Sequence, residues 1–265
     1  MPDNPYRSPD AAGGKPAAGT HTTDAPTPFW TTSRVVEWLV AFGVIAVLVA
    51  LMLPAVRTPR EVSRRHMCAN NLKQIALAMH NYHDQHGAFP PAYTVDAEGN
   101  RLHSWRTLIL PYIEEQALYE AIDLTKPWDD PANASARETV IECYQCPSAD
   151  VEGPVSTYIA VVGPDGVFPG ATPTTFADCT DGASRTIIVV EVTDENAVEW
   201  MSPNDASLQS LVDRIGREPF SHHPGGFQAA WADGHVSFIS DDLEPSTFKS
   251  LLTRSGGEVI DPDGY

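Results

Sequence analysis

Residues 38–56 read WLVAFGVIAVLVALMLPAV, an uncharged stretch of 19 residues that continues directly into a polar segment with helical periodicity. At about 1.5 Å per residue, a helix of this length is roughly 28 Å long, close to the ~30 Å hydrocarbon core of a bilayer. The stretch lacks the polar stripe that a buried globular helix normally shows. About thirty residues precede it and no A-x-A cleavage site follows, unlike a secretory signal peptide. The sequence therefore predicts a membrane anchor, with a buried helix and a cleaved signal as the alternatives.

The segments on either side of the anchor set the domain organisation. Residues 1–32 are rich in Pro, Gly, Ala and Thr, so we expect a disordered tail. Beyond the anchor, apolar side chains recur on one helical face and stop before Gly87, which favours a helix end. The members of this stripe are Leu72, Ile75, Ala76, Met79 and Tyr82. We therefore expect one long helix over 33–87, with its membrane part at about 38–56, and a folded domain over 88–265.

The folded domain is predicted to belong to the α+β class. Residues 104–123 have a helical pattern with a break at Pro111, whereas residues 157–162 and 186–192 are β-rich. Residues 227–232 and 235–239 flank Asp233-Gly234, which predicts a hairpin with a type I′ turn. A short helix over 245–252 is expected to close the chain.

The charge distribution excludes one class of partner. The chain carries a net charge of −18, and residues 88–265 hold 9 basic against 29 acidic side chains. Such a domain repels nucleic acid, so we expect no nucleic-acid partner. Calcium or a basic protein would suit it better. Four acidic residues are calcium candidates, although no EF-hand pattern is present: Asp178, Asp181, Asp194 and Glu195.

The four cysteines, Cys68, Cys143, Cys146 and Cys179, allow three disulfide pairings in an oxidising compartment. Cys143 and Cys146 form a C-x-x-C, which would also suit a redox pair or half of a zinc site. No second C-x-x-C exists, so we favour a structural disulfide or free thiols over zinc. The pairing stays open.

Two histidine groups are candidate metal ligands. His80, His83 and His86 recur every three residues, so the first two could face one way, but a polar helix face explains them equally. The second group is His222, His223, Asp233 and His235, which a hairpin could bring together for metal or acid–base chemistry. The alternative is that these residues belong to the turn and the strand entry. We favour the structural interpretation, and expect neither a catalytic residue nor a cofactor.

Several motifs resemble one bacterial family. They are Arg64 to Ile75 (RRHMCANNLKQI), His80-Asn81-Tyr82-His83, Cys146-Pro147-Ser148, and His223 followed after nine residues by Asp233-Gly234. The chain is similar over about residues 33–260 to prepilin-like proteins with a processing-associated H-x9-DG domain, a domain of unknown function. The family-motif residues are Cys68, Asn70, Asn71, His80, His83, Cys146, His223, Asp233 and Gly234.

The resemblance implies a pilin-like architecture related to type IV pilins and type II secretion pseudopilins. A long N-terminal helix would lie half in the membrane and pack on an antiparallel sheet in an extracytoplasmic domain. One departure concerns the prepilin peptidase site, where the family has Gly followed by Phe. Here Thr32 and Ser33 occupy those positions and only Glu37 is kept. We therefore expect no cleavage and no free amine at Ser33 to pair with Glu37, which argues against a filament.

The expected function is that of a non-enzymatic, single-pass protein of the bacterial inner membrane, structural or protein-interacting. Its expected partners are the bilayer, through residues 38–56, and other envelope or pilin-like proteins. The alternative is an envelope ligand- or metal-binding module on the same scaffold. The four arginines after Val56 oppose an external domain under the positive-inside rule, but long domains can translocate regardless.

Overall fold

The computed structural model describes residues 32–55 and 57–258. The chain divides into two compact units, Met1–Pro54 and Ala55–Tyr265. The tail predicted to be disordered lies, except for Thr32, outside the described residues.

The first unit is represented by helix α1, Thr32–Ala55. Its side chains from Ser33 to Ala50 are exposed, and Leu39 and Phe42 are 67% and 63% accessible. By length and composition Ser33–Ala50 could cross a membrane, and a signal sequence would satisfy the same criterion. Helix α2, Arg57–His86, follows. The sequence predicted one helix over 33–87; α1 and α2 cover this range except for Val56, which lies outside the described residues, so the continuity of the helix stays a prediction.

The second unit alternates short helices with short strands. Its further helices are α3 Trp105–Leu108, α4 Gln116–Glu120, α5 Ala134–Arg137, α6 Leu208–Arg214 and α7 Pro245–Leu252. Its strands are β1 Tyr93–Val95, β2 Arg101–Ser104, β3 Val155–Ser156, β4 Tyr158–Val162, β5 Ile187–Glu191, β6 Val198–Glu199, β7 Ala206–Ser207, β8 Gly226–Trp231 and β9 Val236–Ser240.

A five-stranded sheet of order β7-β4-β5-β8-β9 organises this unit. The pairs β4–β5, β5–β8 and β8–β9 are antiparallel, whereas the short strand β7 runs parallel to β4. Two further antiparallel pairs, β1–β2 and β3–β6, lie outside this sheet. The predicted α+β class with antiparallel sheets is therefore confirmed.

Both faces of the sheet are covered. Because side chains alternate along a strand, Tyr158 and Ala160 of β4 join one core with Cys68 and Leu72 of α2. Their neighbours on the other face belong to a second core with α6 and α7, built around Phe220, Phe227, Phe248 and Leu251. Helix α2 lies against β8, where the small side chains of Ala230 and Ala232 face the first core. This packing holds α2 close to the sheet.

Two local predictions can be compared with the backbone. Helix α2 ends at His86, and Gly87 has a φ of 77° while its N–H donates to the carbonyl of His83 at 2.7 Å. The β8–β9 hairpin forms as predicted, but the type I′ turn is wrong. Gly234 has a φ of 90°, whereas Asp233 is not among the described residues with positive φ, and type I′ needs both. The 104–123 segment is less helical than expected, since Ser104 ends β2 and only α3 and α4 are α-helical.

Candidate metal centre

Four segments that are distant in sequence meet at one buried point of the second unit. Cys68 comes from α2, Cys146 from the loop before β3, Glu191 from the end of β5 and His223 from the approach to β8. One ligand atom from each lies within 4.8 Å of all the others, and all four residues are buried. This is the one such group of at least three His, Cys, Asp or Glu residues in residues 32–55 and 57–258.

The imidazole of His223 contacts two other members of the group. Its Nε2 atom lies 3.6 Å from the Sγ of Cys146 and 3.3 Å from Oε1 of Glu191. The side chains of His223 and Glu191 have no solvent exposure. The cluster therefore presents two sulfurs, one nitrogen and one carboxylate oxygen to each other with water excluded.

Local hydrogen bonds hold the loops that carry these side chains. The N–H of Cys146 donates to the hydroxyl of Thr157 at 2.8 Å, which ties the loop to the start of the sheet. The N–H of His223 donates to Ser221 Oγ at 3.0 Å. Arg65 of α2 donates to the carbonyl of Pro224 at 3.1 Å, so the helix also holds the segment next to His223.

A second layer of polar groups surrounds the cluster. Nδ1 of His223 lies 2.8 Å from Oε1 of Glu61, whose carboxylate also accepts the hydroxyl of Ser148 at 3.0 Å. Each sulfur accepts a weak hydrogen bond, Cys68 from the hydroxyl of Tyr158 at 3.3 Å and Cys146 from the N–H of Ser148 at 3.4 Å. These partners orient the four side chains.

Glu191 is only half satisfied. Its Oε2 accepts the N–H of Gln228 at 3.1 Å. Its Oε1 is buried and has no hydrogen-bond partner, although it lies 3.3 Å from the His223 ring. A buried carboxylate oxygen without a partner carries a desolvation cost that native structures rarely leave uncompensated.

The electrostatics follow from burial and mutual contact. Burial lowers the pKa of His223, but its contacts with Cys146, Glu191 and Glu61 outweigh burial and raise it to about 10. The contact with the Cys68 thiol, helped by His223 and opposed by burial, lowers the pKa of Cys146 to about 7. Burial raises the pKa of Cys68 above its ordinary value. Burial also opposes the ionised form of Glu191, but His223 lowers its pKa overall. The cluster therefore favours a thiolate and a carboxylate beside a positive charge.

This arrangement has two chemical options. Thiolate, imidazole and carboxylate are ligands for a borderline-soft divalent metal ion. The two sulfurs could instead pair as a disulfide, but all four cysteines are free thiols in the structure. A surface cleft of about 480 Å³, lined by Met67, Asn71, Cys143 and Cys146 among others, borders the cluster on the Cys146 side.

Of the histidine and aspartate candidates near the hairpin, only His223 belongs to this cluster. His222 pairs with Asp194 at 2.7 Å on the surface. Asp233 and His235 contact each other at 2.6 Å in the β8–β9 turn, at the far end of β8 from His223. The six residues of β8 separate His222 and His223 from Asp233 and His235, a distance of about 20 Å at 3.3 Å per residue. The hairpin does not bring the four together.

The other family-motif residues have structural contacts. Nε2 of His80 lies 3.0 Å from the carbonyl of Ala232, and a Cβ on Gly234 would approach the His80 ring to 3.2 Å. His83 packs edge-on against Phe89 and tilted on Phe176. Asn71 donates to the carbonyl of Gln145 at 3.0 Å and Asn70 is exposed. The H-x9-DG motif thus contains one cluster residue, His223, and the Asp233-Gly234 turn, which packs on α2.

The acidic calcium candidates do not converge in the structure. Asp178 accepts hydrogen bonds from Thr175, and Asp181 accepts the N–H groups of Gly256 and Gly257. Asp194 is occupied by His222. Asp178, Asp181 and Asp194 therefore each bond to groups of the fold, and no group of three possible ligands includes any of the four candidates within the described residues. The degenerate prepilin positions, Thr32, Ser33 and Glu37, lie in the first turns of α1.

Sequence reasoning missed Glu61 and Glu191. Glu191 left a signal, because a glutamate inside the apolar run TIIVVEV is a charge placed in a buried strand. Glu61 left none, since it resembles any polar residue on a helix surface. The C-x-x-C pattern drew attention to Cys143 as the neighbour of Cys146. In the structure, Cys146 instead lies close to Cys68 of α2.

Comparison with known proteins adds one finding. A family model described as "Protein of unknown function (DUF1559)" matches residues 57–213 and 209–246, more than half of the chain. No curated protein and no solved structure matches the chain significantly. The matched ranges include the four cluster residues and the two second-layer residues Glu61 and Ser148.

Proposed function

The chain belongs to the DUF1559 family of proteins of unknown function, and on that premise we propose that it is a non-enzymatic, single-pass protein of the bacterial inner membrane. Its pseudopilin-like extracytoplasmic domain would act by binding other envelope proteins. The observation that carries this proposal is α1. Its helix is long and apolar enough to cross a membrane, and its side chains from Ser33 to Ala50 are exposed. Anchoring in a bilayer would cover that surface.

The titratable groups support a role without catalysis. Nucleophilic catalysis needs a nucleophile and a base that a substrate can reach. In residues 57–258 the one cluster with such chemistry is closed, and His223 is 1% exposed. The exposed pairs His222–Asp194 and His235–Asp233 are two-residue contacts at loops. These features favour a binding or structural role.

The positive charges that follow α1 oppose the proposed external orientation of the domain. Arg57, Arg60, Arg64 and Arg65 follow α1 closely and would favour a cytoplasmic domain. Arg65 is engaged in the fold, since it lies over the Phe238 ring at 3.9 Å and bonds to Pro224. Flanking charges predict membrane orientation less well when a long folded domain follows, because such domains can translocate regardless of charge. We therefore retain the external placement.

Protease accessibility in intact spheroplasts tests anchor and orientation together. An epitope tag after Tyr265 should be lost on digestion while a cytoplasmic marker protein stays intact. The undigested chain should have its full-length mass and remain with membranes after a carbonate wash. A tag protected until the membrane is lysed would overturn the external placement. A chain shortened before or within α1 and released in soluble form would identify a cleaved signal instead.

The buried cluster favours a second candidate, an envelope metal-binding module on the same scaffold. The specific observation is the buried Oε1 of Glu191, which accepts no hydrogen bond and converges with one imidazole and two sulfurs. This role is compatible with the first, because an internal metal would stabilise a domain that binds other proteins.

A further inference from the structure

We propose that Cys68, Cys146, Glu191 and His223 bind a single zinc ion in a closed, tetrahedral, structural site. This inference deepens the second candidate function and does not depend on which side of the membrane the domain faces. The ligands would be both sulfurs, Nε2 of His223 and Oε1 of Glu191.

Two of the six distances among the four atoms match the edges of a zinc tetrahedron. With Zn–S of about 2.3 Å and Zn–N and Zn–O of about 2.0–2.2 Å, the sulfur–nitrogen edge is about 3.6 Å and the nitrogen–oxygen edge about 3.4 Å. The structure has Cys146 Sγ to His223 Nε2 at 3.6 Å and His223 Nε2 to Glu191 Oε1 at 3.3 Å. All four atoms lie within 4.8 Å of one another, so small side-chain shifts would bring the full set onto one ion.

The contacts of the His223 ring lead to the same conclusion. Its Nδ1 lies 2.8 Å from Glu61, whereas its Nε2 lies 3.3 Å from the Glu191 oxygen and 3.6 Å from the Cys146 sulfur. These atoms and the Cys68 sulfur converge from four segments on one buried point. All four are donor atoms that one divalent cation can bind at once.

The second layer has the form that zinc-binding histidines usually show. Metal-ligating histidine commonly donates its other ring N–H to a carboxylate, which fixes the tautomer and raises ligand basicity. Glu61 occupies that position at 2.8 Å from Nδ1. Glu61 is itself oriented by Ser148, and Ser148 also donates its N–H to the Cys146 sulfur. Glu61 is therefore a positioning residue.

The ligand types select zinc over calcium. Two thiolates and an imidazole suit zinc, whereas calcium requires six to eight oxygens. The four side chains complete a tetrahedron and are buried, so no open position is left for a substrate. A closed site of this kind contributes to folding, because the ligands lie far apart in the unfolded chain. Here it would join α2 to β5 and to the segment that enters β8.

Metal analysis of the full chain, purified in detergent under reducing conditions without chelator, tests the proposal. We expect one zinc per chain by mass spectrometry. After stripping with a strong chelator, cobalt(II) should restore a thiolate-to-cobalt charge-transfer band and the intense visible bands of tetrahedral cobalt. Zinc should protect Cys68 and Cys146 from alkylation while Cys143 still reacts.

Single substitutions separate the ligands from their surroundings. Cys68→Ser, Cys146→Ser and Glu191→Gln should lose stoichiometric zinc. Cys143→Ser is the matched control, because Cys143 shares the C-x-x-C yet lies outside the cluster, and it should keep one zinc. Glu61→Gln should bind zinc about 10- to 100-fold more weakly while preserving the tetrahedral cobalt spectrum. An unchanged zinc affinity in Glu61→Gln would mean that the Glu61 carboxylate does not position His223.

Two results would overturn the zinc site. One is a reduced, folded wild-type chain that is isolated without zinc and gives no cobalt–thiolate band. The other is a Cys68–Cys146 disulfide in chain isolated from native membranes and alkylated before lysis. If the ligand variants fail to fold, the wild-type cobalt spectrum and alkylation pattern still decide. Neither result bears on the anchor, whose test is the protease digestion.

Discussion

At the scale of single residues, this chain pairs its buried charges. Arg106 and Asp205 are 0% and 1% exposed and their side chains meet at 2.5 Å. The guanidinium also donates to the carbonyl of Tyr158, and Asp205 accepts the N–H of Ala160 at 2.7 Å. The pair therefore joins α3 to β4, the strand whose Tyr158 hydroxyl bonds to Cys68. Glu191 differs, because its Oε1 accepts no hydrogen bond and faces a histidine at 3.3 Å.

Removing one member of the buried pair should be costly. Asp205→Ala leaves the Arg106 guanidinium buried without its counter-ion, and we expect a loss of about 3–5 kcal/mol in the free energy of unfolding. Denaturant titration followed by tryptophan fluorescence measures it. The control is Glu218→Gln, which breaks the surface pair with Arg214, where Glu218 is 55% exposed. That variant should lose less than about 1 kcal/mol. Equal losses in the two variants would mean that the buried pair is not a structural link.

At the scale of secondary-structure elements, local signals were sufficient wherever one segment determines its own conformation. The strand in residues 157–162, the pairing of the strands around Asp233-Gly234, the helix end before Gly87 and the helix from Pro245 all appear as expected. The strand order could not be predicted, because β7 pairs directly with β4 although β5 and β6 lie between them in the sequence, and this parallel pairing leaves no local pattern. The cluster depended on the same non-local packing: no spacing in the sequence relates Cys68 to Cys146 or Glu191.

The entry to β8 makes a second prediction. A Cβ on Gly226 would lie 2.0 Å from the carbonyl oxygen of Ile239 and 2.8 Å from the Phe238 ring, so the β8–β9 pair would have to separate. Gly226→Ala should therefore destabilise the domain by about 1–3 kcal/mol or more, by overpacking against backbone. Gly163→Ala is the control, since its Cβ would meet only the Leu208 side chain at 3.2 Å. Thermal unfolding by circular dichroism compares them, and a Gly226→Ala melting temperature at or above that of Gly163→Ala would refute the steric argument.

At the scale of the whole molecule, an apolar helix and a domain with a closed ligand cluster are encoded in one chain. The family match covers residues 57–246, so it describes the domain and not α1. A possible membrane span could be predicted from the sequence alone, because a bilayer span needs only sufficient length and the absence of charge. Under the pseudopilin proposal, its processing would depend instead on a few residues at its start, Thr32, Ser33 and Glu37.

Those residues allow a direct test of the pseudopilin proposal. If the scaffold is pseudopilin-like and only the cleavage site has been lost, restoring Gly and Phe with Thr32→Gly and Ser33→Phe should make the chain a substrate for a co-expressed prepilin peptidase. The double variant should lose its first 32 residues, seen as a matching fall in intact mass, while the wild-type chain keeps its full mass under the same conditions. Adding Glu37→Ala to the double variant provides the further comparison, because it leaves the Gly-Phe pair intact and removes the acidic side chain that prepilin-like proteins carry at this position. A double variant that remains at full mass, with the peptidase active on a control prepilin, would show that α1 is an ordinary membrane anchor. The zinc site would be unaffected by that outcome, since its ligands all lie in the domain that follows.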